Sequence, residues 1–179
     1  MANVVLVIHM QRGFLEPGCP LYCSDDARRI IPNVRRLVEE EQAKGSHFIF
    51  TRDTHDPDDK EFQMFPPHCV RGTVENEIIP ELQGFPGEHI ASNRYSVFFN
   101  TGLERRLREL APEKLIVVGV CTDICVMHSV ADARYRDYPV EVPADCVATF
   151  DPEAHRWALQ HMETILGAKV VASSLTART

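Results

Sequence analysis

Three short runs of apolar, mostly β-branched residues recur at wide intervals along the chain: VVLVI at 4–8, HFIF at 47–50 and KLIVVGV at 114–120. They lack the polar alternation of a strand with one wet face, so they suit the interior of a sheet covered on both sides. Amphipathic stretches follow them, as expected of crossover helices that return the chain to start a parallel neighbour. PVEV at 139–142 and AKVV at 168–171 read as two further strands. The predicted fold is therefore α/β: a doubly wound, mainly parallel sheet with helices on both faces.

DDARRIIPNVRRLVEEEQAKG, residues 25–45, sets Ile30, Val34, Leu37 and Val38 along one stripe. It predicts one surface helix with Pro32 near its first turn and Gly45 as its stop. TGLERRLRELAP at 101–112 predicts a second, capped by Thr101 and ended before Pro112. CVMHSVADARYRD and PEAHRWALQHMETIL supply the last two. Between Thr51 and Pro86 the periodicity gives way to proline, acid and histidine. That predicts a long loop, and long loops in compact domains tend to be functional. The 179 residues fit one domain spanning 1–179, large enough to bury roughly 70% of the unfolded surface.

Nineteen lysines and arginines against 26 acids leave a net charge of −7, with no basic cluster to attract phosphates. Nucleic acid is not an expected partner. No apolar run approaches the roughly 18 residues of a membrane span, and no basic and apolar leader opens the chain, so a cytoplasmic protein without membrane attachment is expected. The six cysteines, Cys19, Cys23, Cys69, Cys121, Cys125 and Cys146, accordingly read as thiols.

In open α/β sheets ligands bind beyond the carboxyl ends of the strands. His9 follows the first run, Asp53 and His55 the second, and Cys121 to Cys125 the third, so the topology gathers them at one edge. In an extended segment Asp53 and His55 project to the same side, and Glu61 and His68 can return from the loop to complete two imidazoles and two carboxylates. Such a set suits zinc, iron(II) or manganese; the alternative is a solvated acidic loop. Cys125 lies where strand turns into helix, a place that favours a nucleophilic thiolate and offers amides to an oxyanion. The alternative is a pair of small buried thiols. Tyr95 reads either as core or, with Phe14 and Phe65, as the wall of a pocket for a flat ligand.

Four blocks, VVLVIHMQRGFLEPGCPLY, FTRDTHDPDDKEFQMFPPHCVRGT, NRYSVFFNTGLERRLREL and VVGVCTDICVMHSVADARYRDY, together resemble, in order and spacing, the isochorismatase-like cysteine hydrolases. FPPHCVRGT is most similar to the nicotinamidases. The resemblance implies a homo-oligomer that hydrolyses a small aromatic amide through a Cys125 thioester. It implies Asp53, His55, Glu61 and His68 as metal ligands, and Phe14, Phe65 and Tyr95 as a ring-stacking pocket. A cis peptide between Val120 and Cys121 would present oxyanion-hole amides there, at Cys121 and Cys125.

Two positions depart from the family pattern. The aspartate of the catalytic triad is His9 here, and the lysine is Ser92. One reading is that the thiol, without either charge, reverts toward its free pKa of about 8.5 and the amidase is weak or dead. Another is that His9 replaces both groups, accepting the thiol proton and then stabilising the thiolate as a cation. Ser92 can hydrogen-bond but cannot supply the lysine's charge. Three functions remain open at this stage: a nicotinamidase-like hydrolase, a silent metal- and ligand-binding homologue, and a hydrolase of an isochorismate-like ether or a carbamoyl compound.

Overall fold

The computed structural model describes residues 2–172, and in it the apolar runs form the centre of a parallel sheet. Its strands are β1 (Val4–Ile8), β2 (His47–Asp53), β3 (Glu88–Ser92), β4 (Leu115–Val120), β5 (Val140–Pro143), β6 (Val147–Ala148) and β7 (Lys169–Val171). They run in the order β3-β2-β1-β4-β5-β7, with β6 paired to the end of β4, and every ladder is parallel. β1 is central: Val4–Ile8 align with His47–Thr51 on one side and Leu115–Gly119 on the other.

Side-chain alternation explains the unbroken apolar runs. Val5 and Val7 join Phe48, Phe50, Ile116 and Val118 under α3 (Ile30–Ala43), which follows the short helices α1 (Arg12–Leu15) and α2 (Asp25–Arg28). Val4, Leu6 and Ile8 join Ile49 and Val117 on the opposite face. That face is covered by α4 (Leu103–Leu110), α5 (Met127–Tyr135) and α6 (Pro152–Thr164). All five β1 side chains are fully buried, and each such burial contributes roughly 1.5–3 kcal/mol.

Some boundaries differ from the sequence expectation. The helix expected over 25–45 is broken into α2 (Asp25–Arg28), whose Ala27 N–H is accepted by the Ser24 hydroxyl at 3.0 Å, and α3. Pro32 is the reason: it has no N–H for the Arg28 carbonyl, and only the first turn of a helix accepts it. Gly102, not Thr101, is the residue before α4, although the Thr101 hydroxyl accepts the Leu103 N–H at 3.3 Å. The stretch from Thr51 to Pro86 is less irregular than expected. β2 continues to Asp53, and single turns form at Lys60–Gln63, Val74–Asn76 and Pro80–Leu82. β3 escapes recognition because it is an edge strand with four of its five residues at least partly exposed.

The chain leaves β1 toward β2 and β3 on one side, and leaves β4 toward β5 and β7 on the other. The crevice therefore opens beyond the ends of β1 and β4. These strands approach closely at Gly119, paired with Ile8, where φ is +122° and an added Cβ would lie 2.0 Å from the Ile8 carbonyl oxygen. Only glycine fits.

Candidate active site

Three strand tips supply the site. After β1 the chain turns through His9, at φ 51°, whose N–H donates to the Thr51 carbonyl. Gln11 then grips the end of β2: its amide accepts the Asp53 N–H at 2.7 Å and donates to the Asp53 carbonyl at 2.9 Å. Asn76 donates to that same carbonyl at 2.8 Å. This buried amide network fixes Asp53 without using its carboxylate. Beyond β4 the Val120–Cys121 peptide is cis, and a wide turn, Thr122–Val126, carries Cys125.

One small, partly open pocket lies at these tips. Phe14, Phe65 and Tyr95 line it, as do Asp53, Glu61 and His68, with Cys121 and Cys125 beside them. Leu21, Ile124 and Phe150 complete its wall; nothing in their sequence setting distinguishes them from ordinary apolar residues. The Cys125 residue is 8% exposed. His9 and Ser92 do not line the pocket, and His55 is joined to it through Asp53 and Glu61.

Asp53, His55 and His68 offer ligand atoms that all lie within 4.8 Å of one another. His55 Nε2 is 2.9 Å from Asp53 Oδ1 and 4.0 Å from Glu61 Oε1, and His68 Nε2 is 3.1 Å from Asp53 Oδ2. The other ring nitrogens are already engaged: His55 Nδ1 lies 2.9 Å from Asp59 Oδ2 and His68 Nδ1 2.8 Å from the Pro66 carbonyl. Both Nδ1 atoms thus act as N–H donors, which turns both Nε2 atoms toward a shared carboxylate. Buried His55 Nε2 makes no hydrogen bond of good geometry. This arrangement calls for positive charge at the Nε2 atoms, supplied either by a ring proton, since burial is outweighed by Asp53 and Asp59, which raise His55 to about 9, or by a metal cation; outer carboxylate or carbonyl partners are how metal-binding imidazoles are oriented. The residues fit a divalent cation held by Asp53, His55 and His68, with Glu61 in reach. Neither Asp59 nor Arg94 was singled out from the sequence. Arg94 bonds Asp59 at 3.0 Å and approaches Glu61 to 3.9 Å, so the two residues brace the acidic side of this set.

The same charges act on the thiol. Burial, then the Asp53 and Glu61 carboxylates, hold the Cys125 thiol well above its ordinary range, opposed by the Cys121 N–H. The lowering expected of a helix terminus does not prevail, because burial, joined by two carboxylates, outweighs it. His9 gives no relief. It is fully buried and its Nε2 bonds Ser92 Oγ at 3.2 Å, while Nδ1 has no partner. Burial lowers its pKa to about 4 despite the pull of Asp53. At neutral pH His9 is an uncharged imidazole that makes no hydrogen bond to Cys125.

The isochorismatase domain model matches residues 3–174. A protein of Arabidopsis thaliana described as a probable inactive nicotinamidase is 32% identical over 175 residues, spanning 91% of this chain and 89% of the relative. The nicotinamidase/pyrazinamidase PncA of Bacillus subtilis superposes with a TM-score of 0.89 at 32% identity, covering 96% of this chain and 100% of that one. The pyrazinamidase of Pyrococcus horikoshii, solved in complex with zinc, gives 0.88 at 28% identity over 96% and 99%. With a parallel sheet wound on both sides of β1, a thiol at the tip of β4 and a family match along nearly its whole length, this chain belongs to the isochorismatase family.

Proposed function

We propose that the chain is a nicotinamidase-like cysteine hydrolase of a small aromatic amide, working slowly through Cys125. The observation that carries this reading is the pocket itself: the residue bearing the sulfur shares it with four aromatic side chains, Phe14, Phe65, Tyr95 and Phe150, and with the carboxylate and imidazole groups of the metal set. Phe14, Phe65 and Tyr95 would grip the flat ring and exclude water. A divalent ion held by Asp53, His55 and His68 would supply positive charge to orient and polarise the bound ligand.

Cys125 Sγ attacks the amide carbonyl carbon, the carbon–nitrogen bond breaks, and ammonia leaves with the thiol proton. Water then hydrolyses the thioester, giving the carboxylic acid and the free thiol. The Cys121 N–H, which faces the Cys125 sulfur, stands beside the reacting atoms, where amide donors can hold the carbonyl oxygen as it gains charge. The weak point is proton removal. His9, uncharged and bonded to Ser92, has the imidazole chemistry of a base but does not engage the thiol.

That same pairing favours a second reading, a catalytically silent homologue that binds metal and ligand only. Ammonia release from nicotinamide, with zinc-replete protein before and after thiol alkylation, separates the two. Slow release that disappears on alkylation and in Cys125→Ala supports the hydrolase. Thermal stabilisation by nicotinamide without ammonia supports the silent binder, and release that survives Cys125→Ala overturns the Cys125 chemistry. We also read the chain, from its length, as a single domain of a cytoplasmic protein and, on the resemblance, as a homo-oligomer.

A further inference from the structure

Cys23 Sγ and Cys121 Sγ lie 3.5 Å apart although 98 positions separate them in sequence. Among the described residues this is the one sulfur–sulfur contact of hydrogen-bonding length, and all six cysteines are free. Neither of these two sulfurs is needed for the Cys125 chemistry. We propose that Cys23 and Cys121 form a reversible disulfide that staples the two walls of the pocket together.

Each sulfur is tied to one wall. The Cys23 N–H donates to the Phe14 carbonyl at 2.9 Å, and Cys23 stands two residues after Leu21; Phe14 and Leu21 both line the pocket. Cys121 itself lines the pocket, and its carbonyl accepts the N–H groups of Ile124 and Val126 at 3.1 Å each, anchoring the turn that carries Cys125. A disulfide bond length is about 2.05 Å, so closing the present gap draws the sulfurs together by about 1.5 Å. That movement narrows the approach to Cys125. The two residues are 7% and 3% exposed, so the reaction calls for a small oxidant entering by the pocket that Cys121 lines.

The oxidant required is a hydroperoxide. One sulfur attacks the peroxide oxygen, forming a sulfur–oxygen bond as the oxygen–oxygen bond breaks and the alcohol, or water, departs. The second thiol then displaces hydroxide from the sulfenic acid: the sulfur–sulfur bond forms, the sulfur–oxygen bond breaks, and water leaves with the remaining proton. Two thiols lose two electrons and one hydroperoxide gains them. A small dithiol reverses the change by exchange.

The test treats zinc-loaded protein with a slight excess of hydrogen peroxide under alkaline conditions, because the Cys23 contact and burial hold the Cys121 thiol well above its ordinary range, and maps peptides without reduction. The expected product links the Cys23 and Cys121 peptides and is lost on adding dithiothreitol. Alkylation of Cys125 by iodoacetamide is expected to slow at least tenfold in the linked form and to recover on reduction. Cys23→Ser abolishes the link. A bond from Cys121 to Cys125 or Cys19, sulfenic acid on Cys125 with no link, or a link that leaves Cys125 alkylation unchanged overturns the proposal. The mapping on the unmodified chain decides the matter even where the variant fails to fold, and it holds whether or not the pocket turns over an amide.

Discussion

His9 Nε2 and Ser92 Oγ, 3.2 Å apart, join the tips of β1 and β3 across the intervening β2. Both groups are uncharged in this bond, so neither offers the thiol the charge it needs. Exchanging them together, His9→Asp with Ser92→Lys, puts a carboxylate and an ammonium in the same place. Ammonia release from nicotinamide by zinc-replete protein at neutral pH is expected to rise about 100-fold or more. Each single change should gain far less, because it buries one charge without its partner. A double variant no faster than the parent would show that these two positions do not limit the rate.

The buried imidazole also sets an acid limit on stability. His9 has an ordinary pKa of 6.5 unfolded and about 4 in the fold, where burial outweighs the opposing pull of Asp53 and is reinforced by His55 and His68. Above the unfolded value neither state binds the proton and His9 makes no pH-dependent contribution. As pH falls below it the unfolded chain takes up a proton that the folded chain refuses, so stability drops until the folded value is reached. The expected loss from this residue between pH 7.5 and 4.5 is about 2–3 kcal/mol. It is read as the difference between the parent and His9→Asn in urea unfolding at the two pH values. Equal acid sensitivity in both proteins would contradict it.

How much was legible in the sequence depended on what each residue had to do. β1, β2 and β4 are buried on both faces, so their composition alone marks them. β3 is a polar edge and β6 only two residues long, and neither leaves a periodic trace. Asp53, His55, Glu61 and His68 stood out because few residue types bind metals, and the fold gathers all four. Asp59 sits in the same acidic run as Asp56 and Asp58, and composition could not show that its carboxylate holds the His55 ring while its neighbours face water. The Cys23–Cys121 contact joins the tip of β4 to a loop near the N-terminus. No local pattern encodes such a meeting; the topology does.

Asp59 should therefore matter to metal binding without being a ligand. Its Oδ2 holds His55 Nδ1 at 2.9 Å, and its Oδ1 accepts the Glu61 N–H at 2.9 Å and an Arg94 donor at 3.0 Å. Burial opposes its charge, but these three donors outweigh it and hold the carboxyl at about 2. Asp59→Ala frees the ring and the turn bearing Glu61 together. Zinc affinity measured by titration calorimetry is expected to fall about 10–100-fold, with Asp59→Asn retaining part of it. Unchanged affinity in the alanine variant would remove Asp59 from this role.

Gly119 carries the closest test of the fold. An alanine there meets the Ile8 carbonyl oxygen at 2.0 Å and keeps a backbone at φ +122° that side chains rarely adopt. The clash is with backbone in the central pair of strands, and no rotamer relieves it. Gly119→Ala is expected to cost about 3 kcal/mol or more, and insoluble expression would be one form of that result. Gly84→Ala makes the contrast, since nothing lies within 4 Å of its added Cβ and its φ is not positive; it should be neutral or stabilise by up to about 1 kcal/mol. Urea unfolding of both variants reads the difference. Where Gly119→Ala does fold, spreading β1 from β4 also shifts the end of β4 and the turn after it that carries Cys125, so Cys125 alkylation should change with stability in that variant and not in Gly84→Ala. Equal stability of the two variants would mean that β1 and β4 are not as close as their register at Ile8 and Gly119 requires.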